Sequence, residues 1–422
     1  MIYMNLNYYM SDGKVFVSHI PYPFKRISYD TFNLCSENIF SLNNINPLRS
    51  KGSFYVTSPN NLFLNEEGLS LITNLSSNPI HIPIKLLESI KQRKVISLNT
   101  AYKNWDKLLK NPIGVYGHKS FRKWNITVVG LGDVGGTLVT GLRLLGNSYI
   151  DRIMIYDKDK NKIKRWEYEC NQIFDINNNN LVPVEPLDDE NQIFDCDMFI
   201  FCVSLGVPSV KNKISDVRTM QFNGNSKIIY DYARKAKLAD FSGIFAVMSD
   251  PVDLLCKVAL DAGLKPDQIR GYGLGVMNAR ANYYSNKEKI SNNYAFYGRA
   301  FGPHGKGLVI ANDIENYNHN ASKYLTLKAE NANLEIRSIG FKPYIAPALS
   351  SGTFSIIDTI KGDWHYSSIF IGDAFMGCRN KLRRYGTEIE YYDNMPEKLL
   401  NRIKQTYDDL IDLKIDFKEG KT

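Results

Sequence analysis

The segment Ile-Thr-Val-Val-Gly-Leu-Gly-Asp-Val-Gly-Gly, residues 126–136, has the pattern of a buried strand that runs into a glycine-rich turn. Its glycines at positions 130, 132 and 135 fit G-x-G-x-x-G, and residues 138–145 continue as a helix. In this pattern the glycines permit a tight turn, a close approach of pyrophosphate to the backbone, and close packing of helix on strand. Phosphates then meet the unpaired N–H groups of the helix N-terminus. The segment predicts a dinucleotide site, and a glycine-rich turn without a ligand is the alternative.

A carboxylate follows the next apolar run. Residues 153–156 end in Asp157, about 20 residues beyond the turn, where the ribose-binding acid of such sites belongs. A carboxylate there accepts a hydrogen bond from the 2′-hydroxyl of NAD and repels the 2′-phosphate of NADP. We therefore expect NAD to be the cofactor.

The hydrophobic pattern after Trp124 alternates between strands and helices. Predicted strands are 126–129, 153–156, 196–203 and 244–248, and predicted helices are 135–146, 162–174 and 220–236. Apolar runs of this kind are typical of strands buried on both faces. The pattern predicts an α/β, Rossmann-type doubly wound parallel sheet over residues 124–272. An α+β substrate domain is expected over 273–422, with an amphipathic helix at 396–413.

Residues 1–123 have a different composition, rich in Asn, Ser, Tyr and Phe. Short strands are predicted at 15–17 and 53–56, and helices at about 83–92 and 102–109. No catalytic motif is found here. We expect a small mixed N-terminal domain of unknown role.

The bulk properties are those of an ordinary globular chain. The 422 residues predict two or three domains, and 44% are hydrophobic and 23% charged. No apolar run is long enough to span a bilayer, and the N-terminus lacks the pattern of a secretory signal. The six cysteines are scattered, which indicates neither a zinc site nor a disulfide framework. The net charge is +8, and the lysines and arginines are spread along the chain rather than massed in one block, which predicts a solvated surface with some attraction for anionic ligands. We expect a cytoplasmic protein with no metal, no nucleic-acid partner and no membrane contact.

From Trp124 to about residue 415 the sequence resembles the lactate/malate dehydrogenase family. The resemblance rests on five segments in the family's order: the glycine turn with Asp157, Asp197–Pro208, Asp250–Asp253 in place of "N-P-V-D", Gly275–Asn282, which is similar to "T-L-D-x-x-R-A-N", and Gly302–Lys306 in place of "G-x-H-G". The resemblance implies the fold above and a hydride transfer between NAD and a 2-hydroxy or 2-oxo acid. It implies cofactor contacts at Gly130, Gly132, Asp133, Val134, Gly135, Asp157, Val203, Ser204 and Gly206.

The resemblance also assigns catalytic roles. His304 matches the family's acid/base residue, and imidazole suits that role because its pKa lies near the working pH. Arg280 matches the arginine that grips the substrate carboxylate with two parallel hydrogen bonds. Arg218 matches the arginine that polarises the reacting carbonyl, although the loop 209–216 before it is longer than in malate-type enzymes.

Two residues depart from the family pattern. Asp250 stands where the family has the asparagine that bonds the substrate oxygen, and Met277 stands where the family has the aspartate that orients the histidine. A thioether cannot replace that carboxylate. We expect Asp250 to take over the pairing with His304 in a rearranged network, with Asn278 as an alternative acceptor.

These departures leave the function open between three hypotheses. The first is an NAD-dependent 2-hydroxy acid dehydrogenase of non-standard specificity. The second is an oxidoreductase of an amino- or imine-bearing substrate, whose ammonium would pair with Asp250. The third is a non-catalytic dinucleotide-binding protein. The family resemblance further implies a homodimer or homotetramer.

Overall fold

The structure is a computed structural model that describes residues 2–3, 5–75, 80–110, 122–177, 180–205, 217–291 and 293–413. In the first 123 residues the strands are β1 Ile2–Tyr3, β2 Asn7–Ser11, β3 Lys14–Ser18, β4 Lys25–Arg26, β5 Ile39–Asn43, β6 Ser53–Tyr55, β7 Ile80–His81 and β8 Val95–Asn99. The α-helices of this part are α1 Tyr29–Asn33, α2 Ile84–Lys91 and α3 Lys107–Lys110.

The middle of the chain alternates strands and helices as predicted. Its elements, in chain order, are β9 Trp124–Val129, α4 Asp133–Leu145, β10 Ile150–Tyr156, α5 Lys160–Asn171, β11 Val184–Pro186, β12 Met198–Phe201, α6 Val217–Leu238, β13 Ile244–Val247, α7 Val252–Asp261 and β14 Ile269–Gly271.

The last part mixes helices with antiparallel strands. Its elements are α8 Leu274–Lys287, α9 Tyr294–Tyr297, β15 Arg299–Phe301, β16 Val309–Ala311, α10 His319–Ser338, a π-helical segment Pro347–Phe354, α11 Ser355–Lys361, β17 His365–Ile371, β18 Ala374–Arg383, β19 Gly386–Ile389 and α12 Glu397–Asp412.

The parallel strands β9–β14 confirm the doubly wound sheet. Their spatial order is β11-β10-β9-β12-β13-β14, and each neighbouring pair is parallel. This is the Rossmann order 3-2-1-4-5-6, whose direction reverses between β9 and β12. Ligands of such sheets bind at that reversal, beyond the carboxyl ends of the strands.

Two predicted helices differ at their ends from the observed ones. The helix predicted over 162–174 ends at Asn171, because the Asn171 side chain bonds the backbone of Val184 as both donor and acceptor. The helix predicted over 102–109 is limited to α3, since Tyr102 is held in a turn by hydrogen bonds from its hydroxyl to Pro47 O and Ser50 O. Long-range side-chain bonds outweigh local propensity at both places.

The N-terminal strands continue the same sheet. β6 pairs in parallel with β19, and within the described residues fifteen strands form one sheet that ends at β4. One core cluster joins Phe54 and Leu86 to Phe301, Leu399 and Ile403 of the last part of the chain. The division into 1–123, 124–272 and 273–422 stays a prediction, but the first and last of these parts share a hydrophobic core.

Candidate functional site

The glycine turn lies between β9 and α4, at the point where the strand order reverses. Gly130 has a φ of +96°, and a Cβ there would lie 2.6 Å from Val203 N at the end of β12. A Cβ on Gly135 would lie 1.9 Å from Gly130 O. Both positions therefore require glycine, one for the turn and one for the packing of helix on strand.

Gly132 differs from these two because it faces open space. A Cβ on Gly132 would have no atom within 4 Å, and Gly132 is the N-cap of α4 without a side-chain cap. The N–H groups of the first turn, which includes Asp133 and Val134, therefore have no capping side chain and have room in front of them. This arrangement fits a pyrophosphate.

Asp157 follows β10 and turns its carboxylate back toward the glycine turn. Its Oδ2 accepts a hydrogen bond from Leu131 N at 2.8 Å, and its Oδ1 accepts one from Asp159 N at 3.0 Å. Lys162 Nζ lies 3.7 Å from Oδ2. A carboxylate has about four acceptor sites, so Asp157 retains capacity for a ribose hydroxyl.

The loop after β12 is tied to the loop after β13. Ser249 Oγ donates to Val203 O at 2.7 Å, and Ser204 is exposed. Buried Asn225 accepts from Leu205 N at 2.9 Å and donates to Asp250 O at 2.8 Å. Asn225 was not predicted from the sequence, because its role depends on two loops that meet only in the fold. Gly206, the loop 209–216 and the side chain of Arg218 lie outside the described residues.

His304 lies in a loop with glycine on either side of it and packs against Gly273. The glycines have positive φ, +88° at Gly302 and +137° at Gly305. A Cβ on Gly273 would approach His304 Cβ to 2.7 Å, so glycine is needed there for the imidazole to come this close. Because Gly273 follows β14, the loop brings His304 to the carboxyl edge of the sheet.

Asp250 is brought together with His304, as the sequence predicted. Asp250 Oδ1 and His304 Nδ1 lie 2.8 Å apart. The Asp250 side chain is 51% exposed and that of His304 10%. His304 Nε2 is buried and has no hydrogen-bond partner among the described residues. The carboxylate is therefore the more accessible member of this pair.

The carboxylate of Asp253 is hydrogen-bonded to the loop that carries His304. Asp253 Oδ2 accepts from His304 N at 3.2 Å, and Asp253 Oδ1 accepts from Ser368 Oγ at 2.6 Å. Burial raises the pKa of Asp253 from 3.8 to about 6, and the bonds from Ser368 and His304 oppose this rise. No separate role was predicted for Asp253, and its position after Pro251 and Val252 is the signal by which the sequence could have identified it.

Arg280 lies on α8, one turn after Met277. Arg280 Nη1 contacts Met277 Sδ at 3.5 Å and Ala329 O at 3.4 Å, and Nη2 donates to Asn333 Oδ1. Burial lowers the pKa of Arg280, while the nearby Asp250 carboxylate raises it. Met277 thus serves the arginine as a packing partner, and Arg280 lies within electrostatic reach of the His304–Asp250 pair.

No metal centre is found among the described residues, where no three His, Cys, Asp or Glu side chains lie close enough to share an ion. In the same part of the chain, no helix has both the length and the apolar character that a bilayer crossing needs.

Comparison with known proteins shows what this chain is similar to. Residues 124–271 match the model of the lactate/malate dehydrogenase NAD-binding domain. The L-lactate dehydrogenase of Treponema denticola is 29% identical over 196 residues, which are 45% of this chain and 58% of that enzyme. That of Staphylococcus epidermidis is 25% identical over 215 residues, which are 50% of this chain and 64% of that enzyme. The chain thus spans less than two thirds of the length of these curated relatives.

Solved structures extend the likeness in fold. A lactate dehydrogenase from a Medee basin deep-sea metagenome library has a TM-score of 0.58 at 18% identity and covers 68% of this chain and 97% of its own. The minor L-lactate dehydrogenase of Enterococcus mundtii has a TM-score of 0.58 at 17% identity, covering 68% and 96%. The chain therefore resembles the lactate/malate dehydrogenases: residues 124–271 form an NAD-binding domain of their type, and about two thirds of the chain share their fold.

Proposed function

We propose that the protein is an NAD-dependent oxidoreductase that interconverts a small 2-hydroxy acid and its 2-oxo acid. The observation that carries this proposal is the His304–Asp250 pair, 2.8 Å apart and close to Arg280, at the same sheet edge as the glycine turn. A proton-transfer pair, a cation for the substrate carboxylate and a dinucleotide site are the parts that this reaction needs.

The cofactor half of the proposal rests on backbone geometry. The free N–H groups at the start of α4 would hold the pyrophosphate, Asp157 would bond the ribose, and the loop with Val203 and Ser204 would line the remaining path. When bound, NAD supplies the acceptor for the hydride that leaves the alcohol carbon.

The His304–Asp250 pair accounts for the proton. Oxidation of the alcohol releases the hydroxyl proton, which the pair accepts, and reduction of the oxo acid takes it back. The Nδ1–H group of His304 donates a hydrogen bond to Asp250 Oδ1, and the carboxylate stabilises the imidazolium form. In the family pattern this role belongs to the aspartate whose position is here taken by Met277. Arg280 would bind the substrate carboxylate and keep one face of the carbon toward the cofactor.

A second candidate function is favoured by the exposure of Asp250. Its carboxylate is 51% exposed, and an ammonium or iminium group on the substrate would pair with it where the family's asparagine offers a neutral amide. An oxidoreductase of amino acids or imines would make use of this arrangement.

A single assay series tests both candidates. The purified protein is given NADH with a panel of 2-oxo acids, with and without ammonium, and turnover is followed by NADH absorbance. We expect turnover of 2-oxo acids without ammonium, and His304→Ala serves as the catalytic control. Turnover that requires ammonium selects the second candidate. Tight NADH binding with no turnover in either arm selects a non-catalytic dinucleotide-binding protein.

We further propose a cytoplasmic homodimer or homotetramer. Exposed apolar side chains lie on α4 and on the segment around the π-helix that packs against it, at Leu144, Leu145, Ile345 and Phe354. The core cluster that anchors α4 contains no residue of 1–123, so the described part of the extension does not pack into it. Sedimentation at micromolar concentration checks this, and a monomer would contradict it.

A further inference from the structure

The whole net charge of the protein is carried by residues 1–123. Residues 1–123 hold 15 of the 52 lysines and arginines and 7 of the 44 aspartates and glutamates, which gives +8. Residues 124–422 hold 37 of each sign and are neutral. The lysines and arginines are about equally frequent in both parts, as predicted, so the positive charge of residues 1–123 comes from their low number of acidic residues.

Several of these cations project from one side of the N-terminal sheet. A core cluster on this side contains Tyr9, Phe16 and Tyr55. Lys14 shares the face of Phe16 because side chains alternate along β3, and Arg26 shares the face of Tyr9 because the two pair across β2 and β4.

The covering layer of the same cluster adds more cations. Leu108 and Leu109 of α3 pack against the cluster, and Lys107 and Lys110 beside them are exposed, as is Lys103. Arg383 of β18 continues the surface, since its guanidinium lies 4.1 Å from the centre of the Tyr55 ring. We call this surface the basic face and define it by Lys14, Arg26, Lys103, Lys107, Lys110 and Arg383.

The cations of the basic face are poorly neutralised. In the described part of the chain, Lys14, Arg26, Lys103, Lys107 and Lys110 form no ion pair within 4 Å, whereas Arg383 pairs with Glu388. From β18 to β4 the sheet crosses eight neighbouring strands, which at about 4.8 Å per step is roughly 34 Å. The charge is thus spread along a line and does not converge on one point.

We propose that the basic face binds the phosphate backbone of duplex nucleic acid, independently of the oxidoreductase site. Five unpaired cations and the ion-paired Arg383, spread along roughly 34 Å, match about ten base pairs of duplex, which carry one phosphate per 3.4 Å on each strand. A single phosphate would need converging donors. The aromatic rings of this side, including Phe24 and Trp105, pack against the core cluster, so they offer neither stacking platforms for single strands nor an apolar surface for a membrane.

Fluorescence anisotropy with a labelled 20-base-pair DNA duplex tests this proposal on the full chain. We expect binding in the micromolar range at 100 mM NaCl, with a log–log salt slope of about −4.5 from five contacts. The variant with Lys14, Arg26, Lys103, Lys107 and Lys110 all changed to Gln should lose at least tenfold in affinity. A control variant changes five exposed lysines elsewhere to Gln: Lys164, Lys237, Lys289, Lys323 and Lys398. It should bind the duplex as the parent does.

Three results would overturn the proposal. The parent fails to bind the duplex even at 50 mM NaCl, or the control variant loses as much affinity as the basic-face variant, or vesicles with 30% phosphatidylserine are bound while the duplex is not. NADH binding, which should be unchanged in both variants, shows that each of them is folded.

Discussion

The proposed cofactor end of the site, at the glycine turn, and its proposed substrate end, at His304, owe their geometry to different kinds of contact. At the cofactor end, backbone atoms set the geometry: a Cβ on Gly135 would meet Gly130 O at 1.9 Å. At the substrate end, side chains set it, and Asp250 supplies the carboxylate that Met277 lacks. Where the backbone leaves no room for a Cβ, only glycine is possible. A hydrogen-bond acceptor for a histidine, in contrast, can be supplied by residues at more than one position in the chain. The difference explains why the family pattern is intact at the first end and altered at the second.

Removal of the imidazole should give the largest difference between an effect on turnover and an effect on cofactor binding. In His304→Ala we expect turnover to fall by about 10²–10⁴-fold, the usual contribution of general acid–base catalysis. The Kd for NADH should change less than threefold, because the imidazole is proposed to act on the substrate and not on the pyrophosphate. Steady-state kinetics and NADH fluorescence measure the two quantities. His319→Ala is the control, and an unaltered turnover in His304→Ala would remove this residue from the mechanism.

The buried carboxyl below His304 predicts a pH dependence of stability. Because burial raises the pKa of Asp253 from 3.8 to about 6, the folded protein keeps a proton that the unfolded chain releases between about pH 4 and 6. Its contribution to stability is therefore complete below pH 4 and is lost as the pH rises to 6. Asp253→Asn removes this dependence, so relative to the parent it should gain up to about 3 kcal/mol across that window.

Denaturant unfolding at pH 4, 5 and 6 measures this difference. The control is Asp408→Asn, which changes an exposed carboxyl on α12 and should follow the parent at every pH. A constant difference between Asp253→Asn and the parent would show that the pKa of Asp253 is the same in the folded and unfolded protein.

The proposed binding of the substrate carboxylate by Arg280 depends on a planar cation. In Arg280→Lys the ammonium cannot form two parallel bonds, and loss of one charge-assisted bond costs about 1.5–3 kcal/mol. We expect KM for the acid substrate to rise roughly 10- to 100-fold with a smaller change in kcat. The control is Arg234→Lys, which changes an exposed arginine on α6. A rise below threefold would place Arg280 outside the site.

Met277→Asp tests whether the network is rearranged or only weakened. Because Asp250 already pairs with His304, a second carboxylate adds like-charge repulsion, and turnover should stay flat or fall by up to about tenfold. Met277→Leu controls for the lost contact with Arg280. A clear gain in Met277→Asp, with Asp250→Asn neutral in the parent, would mean that the ordinary family arrangement is merely incomplete.

The smallest effect is expected at the cofactor end. In Asp157→Ser the preference for NADH over NADPH should fall by several-fold, because the repulsion of a 2′-phosphate is lost while the glycine turn remains. Competition binding measures the ratio, with Asp151→Ser as an exposed control. Equal binding of the two cofactors by the parent would mean that Asp157 does not face the ribose.

The sequence by itself predicted the doubly wound sheet, the glycine turn and the pairing of Asp250 with His304. Periodicity identified β9, β10, β12 and β13, because buried parallel strands must be apolar on both faces. It misplaced the end of α5, where Asn171 bonds a strand 13 residues away. Local patterns give the type of an element more reliably than its end, since long-range side-chain bonds decide where it stops.

Only the tertiary structure determined which residues distant in sequence contact each other at the site. Only the fold shows that Asn225 ties two loops together, that Asp253 and Ser368 support the histidine loop, and that Met277 contacts Arg280. It also decided that the first 123 residues extend the sheet through β6 and share a core with α12. These contacts depend on the directions of side chains on strands and helices that are far apart in the sequence, so no local pattern predicts them. The glycine turn, in contrast, is a local requirement of the backbone, and the spacing of the glycines predicts it directly.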